Sequence, residues 1–325
     1  MKDPFNLFIE DSVYLVEHDY YKLMYKTKLI FFNYLLNDKS IEDFKKRTNR
    51  MWNKIDHSYM EQRIKELDDM IKQTDLEGKK ILNPDEKFEK IYEVASISKY
   101  KETESRYKKI IDNYYARVKN TLNKDYIDKK AYLSKIVEKY DSTQQTIPYF
   151  NKNGFVQSYH NVASYNSMVF NTSLNHAGWN RTAYDSKLLG ITLEYLPAHT
   201  FACPLCQKWQ GKVYSNDGKY GTIDGIKYEP KENAINGGVG HPNCKHQWLL
   251  YWDKNQIQTD DYSSNEWKDR YQARQKKQAL ELKRKRLKTD RDIYKELNNY
   301  EEVDKINAQI RTLNSTIKEQ KELMK

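Results

Sequence analysis

The sequence predicts a mainly α (α+β) fold in three parts: an elongated helical N-terminal region over 1–145, a small β-containing core over 155–255 stapled at paired cysteines, and a C-terminal long helix and coiled-coil arm over 262–325. Three observations predict it. Charged residues make up 31% of the chain and hydrophobic residues only 38%, so much of it must lie on solvated helices. Eleven glycines and seven prolines in 325 residues are too few to punctuate an all-β fold. Apolar residues recur at helical spacing towards both ends, whereas all three cysteines fall in the middle.

In the first region Leu15, Tyr20, Leu23, Met24, Leu29, Phe32 and Leu35 recur close to a 3.6-residue period. Residues 37–40 break the pattern, and Ser40 offers an N-cap with Glu42 and Asp43 in the following turn. The next helix is expected to run towards Leu67, residues 75–84 (DLEGKKILNP) to form a loop, and two charged helices to follow at about 86–122 and 126–140. The 27 tyrosines are expected to build apolar faces from rings that keep their hydroxyls in water.

Pro148 and Gly154, in a stretch of few periodic residues, mark a boundary at 142–154. A helix is expected over 156–188, polar for its length, with Val162, Tyr165, Val169, Phe170, Ala177 and Ala183 inward and Gly190 as its stop. The run 191–196 (ITLEYL) alternates as a strand and leads directly to the cysteines. In the third region Leu280, Leu287, Tyr294 and Leu297 form one stripe, and residues 298–300 a turn. Val303, Ile306, Ile310, Leu313, Ile317, Gln320 and Met324 then follow 3-4 spacing, the seam of a coiled coil or helical hairpin. This arm is expected to extend away from any globule, with the capacity to self-associate.

The cysteines carry the chemistry. An odd number, with Cys203 and Cys206 two residues apart, is no disulfide framework and suits a reducing compartment. The segment HTFACPLC (199–206) is answered by HPNCKH (241–246), and a CPxC turn points two thiolates at one spot. Zinc takes four such sulfur and nitrogen ligands in a tetrahedron. The preferred set is Cys203, Cys206, His241 and Cys244, with His246 as the alternative fourth ligand or a supporting group. A closed four-ligand site is structural, because no position stays open for water, so no residue is assigned to catalysis. Such a staple would hold the polar insertion 207–240, in which Asn216-Asp217-Gly218 and Asn236-Gly237-Gly238 are expected as hairpin turns. Trp209 and Val213 are expected to pack over the site.

The net charge is +10, and most of it is local: between Trp267 and Arg291 eleven bases face three acids. An anionic partner is implied. Arg274, Lys276, Lys277, Lys283, Arg284, Lys285, Arg286 and Lys288 are the candidates for contacting nucleic acid or an acidic protein. The first ten residues carry charge and no apolar run, and the longest apolar stretch, 29–36, is too short to span a bilayer, so no membrane partner is expected.

Three segments in order, AHTFACPLCQKWQGKVYS (198–215), GHPNCKHQW (240–248) and YQARQKKQALELKRKR (271–286), resemble the phage minor capsid protein 2 family of Gram-positive bacteriophages. More distantly, the CPxC and HPxC pairing is similar to the Mu F-like head morphogenesis proteins. The resemblance covers about 155–290. Many relatives carry Arg and His where Cys203 and Cys206 stand, and Lys245 replaces the usual arginine.

The resemblance implies a minor head component of a tailed bacteriophage, acting at the portal vertex or in the capsid interior during assembly or DNA packaging. Its partners would be the portal protein, the major capsid protein or phage DNA, and it would be assembled in the bacterial host cytoplasm. The competing readings are a zinc-supported HNH-type nuclease, for which His199, His241, Asn243 and His246 supply the residue types, and a DNA-binding phage protein.

Overall fold

The computed structural model describes residues 4–76, 95–125, 127–144, 146–150, 154–257 and 265–324. Over these the chain is mainly helical with a small sheet. Its helices are α1 (Pro4–Leu36), α2 (Ile41–Trp52), α3 (Ser58–Leu76), α4 (Ala95–Leu122), α5 (Lys129–Gln144), α6 (Val162–Leu189), α7 (Pro204–Gln207), α8 (Lys231–Asn236), α9 (Asn265–Glu296) and α10 (Tyr300–Glu322). Its strands are β1 (Ile147–Phe150), β2 (Val156–His160), β3 (Leu193–Leu196), β4 (Lys212–Ser215), β5 (Gly221–Ile223), β6 (Ile226–Pro230) and β7 (Leu249–Leu250). Among the described residues no helix is long and apolar enough to cross a membrane.

The chain divides into two compact units. The first comprises residues 1–15, 57–96 and 167–271; the second comprises 16–56, 97–166 and 272–325.

The second unit is built on aromatic rings. On α2 the Ser40 Oγ accepts the Asp43 N–H at 3.0 Å, the expected cap, and Phe44, Thr48 and Trp52 are buried at four-residue steps. Phe44 stacks on Tyr115 at 4.1 Å, and Phe31 packs against Tyr140 at 4.8 Å. Trp52 lies 4.8 Å from Tyr107 and donates its indole N–H to Thr27 Oγ1 at 2.9 Å. The tyrosines depart from expectation. Tyr20, Tyr100, Tyr107, Tyr115 and Tyr140 are wholly buried. Tyr20 Oη donates to Glu104 Oε1 at 2.7 Å and Tyr115 Oη to the Lys39 carbonyl at 2.9 Å, so these two hydroxyls are satisfied inside the protein.

The helix expected to run to Leu67 ends at Trp52 and α3 begins at Ser58. The loop expected at 75–84 and the start of the helix expected at 86 lie largely outside the described residues. Residues 156–160, expected to be helical, form β2 and pair antiparallel with β1; the alternating VQSYH outweighs the helical pattern, which starts only at Val162.

α9 and α10 form the helical hairpin that the 3-4 spacing allowed. Arg284 Nη1 donates to Asn314 Oδ1 at 2.9 Å, two positions equally far from the turn at Asn299, which fixes antiparallel pairing. Asn298 makes the turn with a φ of 57°, and Asn299 caps α10. Val303, Ile306, Ile310, Leu313, Ile317 and Gln320 are all buried within this one chain. α9 is no isolated extension. Tyr294 Oη donates to the Ser134 carbonyl on α5 at 3.1 Å, and Lys28 Nζ on α1 lies 2.6 Å from Asp290 Oδ1. The buried charge pair anchors it.

The first unit carries a five-stranded sheet in the order β5-β6-β4-β3-β7, with β4 and β6 parallel and the other neighbours antiparallel. The tight hairpin in the insertion falls at Asp224-Gly225, both at positive φ, between β5 and β6. The two turns expected elsewhere differ: 216–218 links β4 to β5, which are not neighbours, and 236–238 ends the short helix α8.

α6 explains its own polarity. Asn171 Nδ2 donates to the carbonyls of Pro242 (3.1 Å) and Cys244 (2.7 Å), and Asn175 Nδ2 also donates to that of Cys244. Trp179 Nε1 donates to His246 O at 3.0 Å and Thr182 Oγ1 to Trp248 O at 2.7 Å. Four residues of helix advance about 6 Å and two residues of extended chain about 6.6 Å, so successive turns of α6 meet alternate carbonyls of 242–248. Of the six positions expected inward, Val162, Phe170 and Ala177 are buried, Tyr165 and Val169 are half-buried, and Ala183 is exposed because Thr182 and Asp185 take the inner face.

Candidate metal centre

Two tight turns of the same design carry the thiols. In Cys203-Pro204-Leu205-Cys206 the Cys206 N–H donates to the Cys203 carbonyl at 3.0 Å, and Pro204 opens α7. In His241-Pro242-Asn243-Cys244 the Cys244 N–H donates to the His241 carbonyl at 2.7 Å. Proline in the second position presets φ for such a turn, which folds the first and fourth side chains to one side. Gly240 introduces the second turn at a φ of +91°, and any Cβ there would run into the Trp179 ring.

The turns converge. Cys203 Sγ lies 2.9 Å from His241 Nε2, Cys206 Sγ 3.6 Å from Cys244 Sγ, and Cys244 Sγ 3.7 Å from His246 Nδ1. The ligand atoms of Cys203, Cys206 and His241 lie within 4.8 Å of one another, as do those of Cys206, Cys244 and His246. Both triads share Cys206. All three cysteines are free, and 3.6 Å between sulfurs is far beyond a disulfide bond. Leu196, Tyr214, Ala234, Val239 and Trp248 pack round Cys206 and Cys244, with Trp179 and Trp209 at the margin. Trp209 thus sits where it was expected. Val213 does not: alternation along β4 turns it to the other face, beside Tyr195 and Tyr251, and puts Tyr214 against the cysteines.

The electrostatics favour a cation. A hydrogen bond from Cys206 holds the Cys203 thiol down to about 4 against the opposing effect of burial, with His241 assisting. The Cys206 hydrogen bond likewise lowers Cys244 well below the ordinary thiol value, with His246 assisting. Its hydrogen bonds to those two neighbours, with burial, push Cys206 up. The hydrogen bond to Cys203 raises His241. Sulfurs and imidazoles converging this closely could share one positive charge, which a metal ion would supply. The donor set therefore fits a soft or borderline ion held by sulfur and imidazole.

One residue missed in the sequence, Gln210, completes the site. Gln210 Oε1 accepts from the His199 backbone N–H and from His246 Nε2, both at 3.1 Å. The outer nitrogen of His246 is thereby engaged and Nδ1 left facing Cys244. On His241, Nδ1 accepts the Asn243 N–H at 3.3 Å, and Nε2 faces Cys203. Donation from the outer ring N–H is how proteins orient ligating imidazoles, and Gln210 accepts it from His246; on neutral His241 an accepting Nδ1 places the proton on Nε2, facing Cys203. The His199 ring packs 4.2 Å from that of His246. The WQGK string places Gln210 beside Trp209, but no spacing rule marks a glutamine as an imidazole partner.

The basic residues lie along α9. Lys276, Lys283, Arg286 and Lys288 are exposed, whereas Arg274, Lys277, Arg284 and Lys285 are half-buried. Burial lowers Lys285 from the ordinary lysine value. Arg284 is drawn to α10 by Asn314, and Lys277 lies 3.9 Å from Glu281.

The family model for phage minor capsid protein 2 matches residues 36–320. The chain belongs to the phage minor capsid protein 2 family. The match runs well beyond 155–290 and takes in the N-terminal helices from the end of α1 onward. The chain is thus a phage minor capsid protein of a structural family. No curated protein and no solved structure matches it.

Proposed function

We propose that this minor capsid protein acts at the portal vertex or inside the head during assembly or DNA packaging, as a structural component and not as an enzyme. The observation that carries the proposal is family membership over 36–320, joined to a buried thiol–imidazole cluster in that stretch. One zinc ion would be held by Cys203, Cys206, Cys244 and His241, with His246 as the alternative fourth ligand, and would join the two turns as a cross-link. Gln210 would orient the His246 imidazole. All four positions of the ion would be filled by protein donors, which suits a staple.

The exposed bases of α9 would meet phage DNA or an acidic surface on the portal or major capsid protein. Neutralising phosphates releases counterions without reading sequence. A second copy joining through the C-terminal arm would meet the outer flanks of α10, since the seam is buried inside the chain.

The test is to withhold this chain from a host that makes every other head protein, and to examine the particles. Few filled heads, restored by the wild-type chain and not by Cys206→Ser, support the proposal. Normal numbers of filled, infectious particles without the chain overturn it.

A further inference from the structure

A cavity of about 360 Å³ in the second unit is lined by Tyr21, Met24, Tyr25, Thr146, Asn161, Ala279, Leu282, Lys283 and Arg286. On α1, Tyr21, Met24 and Tyr25 stand at i, i+3 and i+4; on α9, Ala279, Leu282, Lys283 and Arg286 stand at i, i+3, i+4 and i+7. Each helix thus presents one continuous stripe to the space. The Tyr21 and Tyr25 rings stack at 6.0 Å, 22° from parallel, and their hydroxyls are fixed. Asn161 Nδ2 donates to Tyr21 Oη at 3.1 Å, and Tyr25 Oη donates to the Leu282 carbonyl at 3.4 Å. Asn161 is also the residue before α6, its Oδ1 accepting the Ser164 N–H at 2.8 Å, so the positive end of a 28-residue helix opens at the wall. Among the described residues no carboxylate lines the cavity, and Lys283 and Arg286 stand exposed at its rim.

We propose that this cavity binds a nucleotide, with its phosphate on Lys283 and Arg286 and its base against Tyr25 and Leu282. Two cations on one helical face beside the start of α6 select an anion, and the guanidinium can take two phosphate oxygens at once. The fixed aromatic and apolar wall selects a planar group attached to that anion, the pairing that single-strand binding sites use. The volume lies at the small end of ligand sites and suits one nucleotide unit. A uniformly cationic rod would need neither the rings nor the enclosed space. The inference deepens the nucleic-acid reading of α9 and is independent of the metal.

The test uses the full chain with three probes: dTMP by calorimetry, a labelled fifteen-residue oligo-dT by anisotropy, and inorganic phosphate as competitor. The expected result is that dTMP binds, and that it displaces the oligomer at concentrations where phosphate does not. Replacing Lys283 and Arg286 together by Gln should weaken dTMP about tenfold or more, while the same change at the exposed Lys318 and Lys321 of α10 leaves it unaltered. Ala279→Phe, which narrows the mouth without altering charge, should also abolish dTMP binding; unchanged melting curves certify that both sets fold. Absence of dTMP binding overturns the proposal, as do equal losses from the two double substitutions or phosphate competing as well as dTMP. Oligomer binding alone, without dTMP binding, leaves the reading of α9 standing and removes the cavity. Binding of dTMP without the oligomer does the reverse.

Discussion

Lys28 Nζ lies 2.6 Å from Asp290 Oδ1, with the lysine fully buried and the aspartate nearly so, and this pair ties α1 to the basic helix. Neither charge has water to fall back on. Lys28→Met should therefore destabilise the second unit by about 3–5 kcal/mol, because it strands a buried carboxylate. The double variant Lys28→Met with Asp290→Met should recover most of that loss. Chemical denaturation of the four proteins in this cycle measures both, and a single variant as stable as wild type would refute the claim.

Purified protein should contain about one zinc per chain, and a strong chelator should lower its melting temperature. The pH dependence follows from the thiols. Cys203, hydrogen-bonded by Cys206, is held near 4, and the Cys206 hydrogen bond holds Cys244 well below the ordinary thiol value, so both remain thiolates as pH falls from neutrality. Protons compete for the site first at Cys206, which its hydrogen bonds to Cys203 and Cys244 push up with burial, and at His241, which the hydrogen bond to Cys203 raises. Zinc affinity is therefore expected to fall steadily from about pH 8 to about pH 5, while Cys203 and Cys244 stay ionised. Affinity unchanged across that range would contradict it.

The two imidazoles can be separated by substitution. His241→Ala should cost more zinc affinity than His246→Ala if His241 is the fourth ligand, and the order should reverse if it is His246. Gln210→Leu should weaken zinc about tenfold or more only in the second case, since Gln210 engages His246 alone of the two. Competition with a coloured chelator gives all three constants.

Asn171→Leu and Asn175→Leu each remove a buried donor from the Cys244 carbonyl. Each should cost about 1–3 kcal/mol, and the pair more than either, because together they leave that carbonyl without an α6 donor. Thermal melting of the metal-loaded protein measures the effect. Loss of under 0.5 kcal/mol in the double variant, roughly the scale of a neutral surface change, would show that water takes the place of α6.

Periodicity made the helices legible: Ser40 caps α2, and the seam from Val303 to Gln320 is buried position by position. The cysteine spacing likewise brought Cys203, Cys206, His241, Cys244 and His246 together. What stayed hidden depended on partners distant in sequence. The inward asparagines of α6 look solvent-facing until the carbonyls of 242–248 are laid beside them. Gln210 and the buried tyrosines are the same case, polar groups whose acceptors or donors come from another element. At 156–160 a short alternating run was absorbed into the helix that follows it, because five residues give either period little length in which to declare itself.

The matched steps of α6 and the 242–248 segment work as a vernier. Sliding that segment by one residue would turn those carbonyls to the opposite edge, away from the donors, so only one alignment satisfies the whole row. The half-site bearing His241, Cys244 and His246 is consequently held in position by the folded chain before any ion arrives. Stripping the ion should then loosen the Cys203–Cys206 turn first and leave the opposite jaw in place.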